Sequence, residues 1–206
     1  MKKKIGIMGG TFDPIHNGHI MLAKKAYEDF NLDKVLIMVT KKPPHKKGRV
    51  ITEDFHRVNM IKLAIRSYPY MDFSDFEMQR EGYIYTADTL TLLKKAHPDN
   101  NYFFIIGGDS LRDFHTWYHP EIVINKATIL AAVRDDISNE SFDNIVSQLN
   151  DTYKEYKPDI RKLITTPVDI SSSEIRSEIN RNNSISKYLD KDVYDYILKN
   201  KLYDKP

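Results

Sequence analysis

The run Gly9-Gly10-Thr11-Phe12-Asp13-Pro14-Ile15-His16-Asn17-Gly18-His19 places two histidines and three glycines within eleven residues. Two imidazoles three residues apart can donate to phosphate oxygens if a backbone element aims them together. The apolar residues Ile5-Gly6-Ile7-Met8 before them read as a buried strand, and Ile20 to Phe30 after them reads as a helix. A helix start offers unpaired N–H groups and the positive end of the dipole, which suits an anion. Gly9 and Gly10 let the backbone approach a ligand with no Cβ in the way. A helix beginning near His16 puts His16 and His19 on one face, with Gly18 leaving that face open. The chemistry this allows is holding a polyphosphate through its transfer, with Gly9, Gly10, Thr11 and Phe12 as substrate-binding candidates beside the histidines.

Other glycine motifs fit poorly. Gly6, Gly9 and Gly10 do not make G-x-G-x-x-G, and the second strand ends in Thr40-Lys41 instead of a ribose-binding acid. The Walker pattern G-x-x-x-x-G-K-[ST] is absent. Further constellations carry chemistry. Lys41-Lys42-Pro43-Pro44-His45-Lys46-Lys47 is a proline-stiffened basic loop, either a solvated surface or a phosphate contact, with Lys46 the leading candidate. Ile105-Ile106-Gly107-Gly108-Asp109 ends a strand in an acid that either takes two ribose hydroxyls or caps a short helix over Ser110–Phe114. Trp117, the only tryptophan, is either a rim residue or a stacking surface for a flat heterocycle. Ile170-Ser171-Ser172-Ser173-Glu174-Ile175-Arg176 is a serine-rich helix start whose serines cap the helix or, with Arg176, cradle a second stretch of polyphosphate.

These residues need a frame. Strands are expected at about Lys3–Met8, Lys34–Val39, Asp72–Phe76, Tyr102–Ile106 and Thr128–Val133, with a short extra one at Lys162–Thr166. Helices are expected at Ile20–Phe30, Glu53–Ser67, Ala87–Ala96 and Glu121–Asn125, with a surface helix starting near Ser141. Strands alternating with helices predict an α/β fold, a Rossmann-like parallel sheet with helices on both faces and a C-terminal helical extension. Right-handed crossovers then gather the loops Gly9–His19, Thr40–Arg49 and Gly107–Trp117 at one sheet edge, where such folds bind ligands. The 206 residues read as a single domain, and 41% hydrophobic with 29% charged residues is an ordinary soluble composition. Zero cysteines exclude thiolate metal sites and fit a cytoplasmic location. No apolar run approaches membrane-spanning length, so no membrane partner is expected. A net charge of +2 and 13 tyrosines spread along the chain give no nucleic-acid platform. Tyr194 and Ile197 form an apolar surface on the C-terminal helix that serves either a homodimer or the core.

Taken in order, GGTFDPIHNGH, PPHK (Pro43–Lys46), YTADTL (Tyr85–Leu90), IIGGDSL, the tryptophan loop and ISSSEIR resemble the bacterial nicotinate-nucleotide adenylyltransferases, a branch of the H-x-G-H nucleotidyltransferase superfamily. The resemblance covers nearly the whole chain. It implies adenylyl transfer from ATP to nicotinate mononucleotide, giving deamido-NAD and pyrophosphate, with Mg²⁺ bound mainly through ATP phosphates. It implies that His16, His19, Lys46 and Arg176 hold ATP phosphates with help from Ser172 and Ser173, and that Asp109 holds the ATP ribose. Trp117 would stack on the pyridine ring, with N–H groups near Thr86 and Tyr118 taking the nicotinate carboxylate. Val133-Arg134-Asp135-Asp136 departs from the family's usual Arg-Pro-Gly, which bears on Arg134 as a substrate-binding residue. A nicotinamide or another phosphorylated acceptor is the alternative substrate; a silent nucleotide-binding protein is the alternative class.

Overall fold

A computed structural model of the chain describes residues 2–40, 51–133, 139–165, 170–181 and 185–204. Lys46 and Arg134 therefore lie outside the described residues. Six strands form one sheet: β1 Lys4–Gly10, β2 Lys34–Val39, β3 Met71–Ser74, β4 Asn101–Ile106, β5 Ala127–Val133 and β6 Ile160–Ile164. All pairings are parallel and the spatial order is β3-β2-β1-β4-β5-β6. The chain starts in the middle, builds outward to β3, then crosses back to build the other half. The switch lies between β1 and β4, where Ile7 sits opposite Leu36 on one side and Phe104 on the other. A crevice opens beyond the strand C-termini at such a point.

The strands carry near-continuous apolar runs because both sheet faces are covered. Eight α-helices are present among the described residues: α1 Asn17–Phe30, α2 Asp54–Ile65, α3 Thr86–Ala96, α4 Gly108–Arg112, α5 Pro120–Lys126, α6 Asn139–Thr152, α7 Ser172–Asn180 and α8 Lys191–Lys199. Helix α1 turns Ile20, Ala23 and Ala26 inward, α2 Met60, Ile61 and Ala64, and α8 Val193 and Ile197; with Ile175 and Ile179 of α7 they close one face of the sheet. Helix α3 turns Ala87, Leu90 and Leu93 to the other face, joined by Leu111, Val123, Ile124, Phe142 and Leu149. Gly6 is required by this packing, since a Cβ there would lie 2.8 Å from Leu32 Cδ1 and 3.1 Å from Val35 Cγ2.

Several boundaries differ from expectation. Strand β1 continues through Gly9 and Gly10, which pair with Met38 and Val39 of β2. Strands β3 and β6 each begin before the expected residue, and α6 begins at Asn139, ahead of Ser141. The Ser110–Phe114 helix is instead α4 followed by a 3₁₀ turn at Phe114–Thr116. Of the two uses expected for Tyr194 and Ile197 on the C-terminal helix, the structure shows core packing. Ile197 is fully buried and Tyr194 packs against the same core. Tyr196 of α8 reaches His56 at 2.9 Å and Asn59 at 3.0 Å on α2, and Arg66 pairs with Asp192. The four-residue spacing of Val193 and Ile197 serves the core.

Candidate active site

His16 is the N-cap of α1, in extended backbone (φ −143°, ψ 170°), and His19 is the third helical residue. The two were expected on one helical face; they meet instead as the two halves of a capping box. His19 Nδ1 accepts the backbone N–H of His16 at 3.2 Å, while the His16 ring faces the N–H of His19. Their ring centroids are 3.8 Å apart. An accepting Nδ1 places the proton of a neutral His19 on Nε2, which makes that nitrogen a donor. Phe12 sets its edge against the His19 ring at 5.0 Å, is buried, and has φ 49°. A Cβ on Gly10 would lie 2.9 Å from the Phe12 ring, so this glycine leaves room for the ring that backs His19.

Asp13 and Pro14, between the glycines and the histidines, are gripped by four residues. Arg176 of α7 donates to the Asp13 carbonyl at 2.6 Å, and the Ser172 hydroxyl to the Pro14 carbonyl at 2.9 Å. The Asp13 carboxylate accepts from the Tyr203 hydroxyl at 2.8 Å and from the Thr52 backbone N–H at 3.3 Å. Arg176 also donates to Ser173 Oγ at 3.1 Å. Ser171 is the residue that caps α7: its Oγ accepts from Glu174 N at 3.2 Å, and Glu174 returns a bond to Ser171 N at 2.7 Å. Ser172 and Ser173 follow as the first helical residues, so their N–H groups lack intrahelical acceptors. The two candidate phosphate-binding elements, α1 and α7, are thus docked on each other through Asp13 and Pro14.

Asp109 lies in the first turn of α4, beyond β4 and hence across the switch point from Gly10. Gly107 caps that helix, which removes the capping role for Asp109. Its side chain is 83% exposed and faces Arg112 at 3.4 Å, free to turn to a ligand. Trp117 is half-buried, 5.0 Å from the Phe114 ring and edge-on to Phe104 at 6.1 Å, which makes it a rim residue of the second core. Tyr118 is exposed and stacks on Tyr85 at 4.2 Å, tying the tryptophan loop to the start of α3. Thr86 is the first residue of α3, so its N–H also lacks an intrahelical acceptor. Sequence reading finds these residues by type and position.

Four side chains around the site, three buried and Tyr203 half-buried, escape a reading by type. Arg57 is fully buried and donates to the carbonyls of Thr11 (2.7 Å), Thr40 (3.1 Å) and Thr52 (3.1 Å) and to Asp54 (2.5 Å). Asp13 passes as part of a turn. Tyr203 sits far along the chain; burial first, then the Asp13 charge, pushes its phenol well above the ordinary range, so it stays a donor. Glu77 is buried and accepts from Thr40 at 2.9 Å and Thr89 at 2.8 Å; burial raises its pKa against those bonds and Arg80. Only an arginine inside an otherwise amphipathic helix pattern, at Arg57, offered a signal in advance.

A parallel sheet in this order, with a histidine pair at the start of the first helix beside the switch point, is the frame of an α/β nucleotide-binding fold. Comparison with known proteins gives the particular family. Residues 7–178 match the family described as cytidylyltransferase-like. A protein of Lachnoclostridium phytofermentans described as a probable nicotinate-nucleotide adenylyltransferase is 42% identical over 98% of this chain and 99% of its own. One from Clostridium tetani with the same description is 37% identical over 98% of this chain and the whole of its own. The Plasmodium falciparum nicotinic acid mononucleotide adenylyltransferase solved with NaAD shares the fold, with a TM-score of 0.78, 24% identity and coverage of 98% of this chain and 97% of that one. The chain belongs to the cytidylyltransferase-like family, within its nicotinate-nucleotide adenylyltransferases.

Proposed function

We propose that the chain is a single nucleotidyltransferase domain that transfers the adenylyl group of ATP to nicotinate mononucleotide, releasing pyrophosphate and forming deamido-NAD for NAD biosynthesis. The observation that carries this is the His16–His19 box at the start of α1, locked to α7 through Asp13 and Pro14. The kinship over the full chain supports the acceptor. A cytoplasmic location belongs to the same proposal, because both substrates are charged nucleotides that do not cross membranes unaided.

In this reading an oxygen of the acceptor phosphate attacks the α-phosphorus of ATP, and the bond from that phosphorus to the β-phosphate oxygen breaks. The pyrophosphate leaves with the electron pair. No general base is required, since a phosphate monoester has its second pKa at about 6 and is mostly dianionic at neutral pH. The barrier is repulsion between anions and charge growing on the leaving group, so positioning and electrostatics do the catalysis. His16, His19, Arg176 and Lys46 are the donors assigned to the phosphates, with Ser172 and Ser173 at the start of α7, and Arg134 is assigned to substrate binding. Asp109 is assigned to the ribose, Trp117 to the pyridine ring, and the N–H groups near Thr86 and Tyr118 to the nicotinate carboxylate.

The donor set fits a magnesium ion carried on the phosphates of the nucleotide. Among the described residues no group of three or more His, Cys, Asp or Glu could hold a metal. Both carboxylate oxygens of Asp13 already accept protein hydrogen bonds. His16, His19, Arg176 and the α7 serines would hold the phosphates that carry the ion, and when bound it neutralises their charge.

Pyrophosphate release from ATP, measured with nicotinate and nicotinamide mononucleotides side by side, tests the proposal. Release with strong preference for the nicotinate acceptor is expected. Preference for the amide, or equal rates, would overturn the acceptor, and release with neither would overturn the reaction.

A further inference from the structure

Helix α8 ends in a Schellman motif: Lys201 is left-handed (φ 49°), Leu202 N donates to Ile197 O at 3.0 Å and Lys201 N to Leu198 O at 3.2 Å. The turn reverses the chain toward the sheet. Tyr203 comes next but one, itself left-handed with φ 69°, a conformation that a bulky side chain rarely takes. Strain of this kind persists where the surroundings demand it, and it clusters at functional contacts. Here the strained residue delivers a phenol to a buried carboxylate 190 residues away, Asp13, at 2.8 Å. Asp13 stands two residues before Ile15, which is fully buried, and three before His16, the cap of α1. The Asp13 carbonyl is the acceptor for Arg176.

We propose that Tyr203 is a positioning residue of the phosphate site: by donating to Asp13 it holds the turn that presents His16 and His19 and offers its carbonyl to Arg176. The C-terminal segment is then a working part of a site made at the other end of the sequence. The inference rests on the reading of that loop as the ATP-phosphate site and is independent of which acceptor is used. A small shift of a positioned donor costs far more in rate than in stability, because catalysis here is placement. Tyr203 is assigned no contact with substrate and acts through Asp13.

Tyr203→Phe tests it, since the ring and its packing remain and one hydroxyl is lost. Tyr196→Phe is the matched control: it removes a hydroxyl from the same segment, one bonded to His56 and Asn59 on α2 and not to the loop. Pyrophosphate release and the thermal midpoint are read for both. Tyr203→Phe is expected to lower kcat/KM for ATP by about tenfold or more with the acceptor KM unchanged, while Tyr196→Phe lowers the midpoint and leaves kcat/KM alone. Added to Asp13→Ala, Tyr203→Phe is expected to cost nothing further, because the bond it removes is already absent once the Asp13 carboxylate is gone. Tyr203→Phe within twofold of the parent, equal kinetic losses in the two tyrosine variants, or full additivity with Asp13→Ala would each overturn the proposal. If the unmodified protein releases no pyrophosphate, the functional reading has failed; the same comparison is then made on the affinity for magnesium-ATP by calorimetry, with the same outcomes decisive.

Discussion

At the scale of single residues, the site is a problem of aiming donors. His19 has its Nδ1 committed to the backbone of His16, so its other ring nitrogen is the one that can donate to a phosphate. Replacing His19 with alanine removes that donor and also one half of the capping box. The expected result is a fall in kcat of about 10²–10³-fold, the size typical of losing one preorganised donor to a charge that grows in the transition state. KM for ATP is expected to change little, because the contact strengthens as pyrophosphate leaves. Steady-state pyrophosphate release checks this, and a near-normal kcat would remove His19 from the mechanism. The identity of this residue was legible because two histidines, three glycines and an asparagine in one short run at the end of a strand are an uncommon combination with a direct chemical meaning. That His16 caps the helix instead of riding on it was not legible, since both placements satisfy a three-residue spacing. Asp13 and Tyr203 were invisible as a pair for a plainer reason: nothing local in either segment encodes a contact made 190 residues apart.

At the scale of elements, the periodicities predict the strands and the core-facing helices, because β2, β4 and β5 contain the apolar runs Val35–Val39, Tyr102–Ile106 and Ile129–Val133 and α1 and α3 repeat their buried positions every three residues. The short pieces were harder. Helix α4 and the 3₁₀ turn after it are too brief to show a period, and their boundary is set by how Leu111 and Phe114 reach the core. The polar contact joining the end of β2 to α3 belongs to the same class of features fixed by tertiary packing. Glu77 bridges Thr40, just beyond β2, and Thr89, on α3, from a buried position. Burial raises its folded pKa above the unfolded value, so the unfolded chain ionises first as pH rises. Between the unfolded pKa of about 4.3 and the folded one, the folded state holds more protons, and stability falls with rising pH. Glu77→Gln removes that loss. Urea unfolding from pH 4 to 7 is expected to show the variant gaining on the parent as pH increases. A difference independent of pH would mean that the carboxyl titrates alike in the folded and unfolded states.

At the scale of the whole molecule, the sheet order puts the ends of β1 and β2 side by side, and a single buried guanidinium ties together the segments that leave them. Arg57 donates to carbonyls on Thr11, beyond β1, on Thr40, beyond β2, and on Thr52, ahead of α2. Its charge is met by Asp54 at 2.5 Å, one turn back on the same helix. An arginine suits this position because its planar fork carries several donors in fixed directions, which a lysine does not. Arg57→Met keeps most of the aliphatic bulk and removes every donor. The Thr11 carbonyl then loses its charged partner in a buried setting, while those of Thr40 and Thr52, in half-buried residues, are partly rescued by water. At about 1–3 kcal/mol for each buried acceptor left unmet, and less for the two that water can reach, the expected loss is about 3 kcal/mol of unfolding free energy. The loss should come with weaker ATP binding, because Thr11 adjoins the Phe12 ring that backs His19. Chemical denaturation and calorimetry on the same preparation measure both. A stable variant with weakened ATP binding would place Arg57 in the site alone, and an unstable one with unchanged binding would confine it to the frame. Loss of both is the outcome expected of a residue through which the sheet holds its phosphate loop in place.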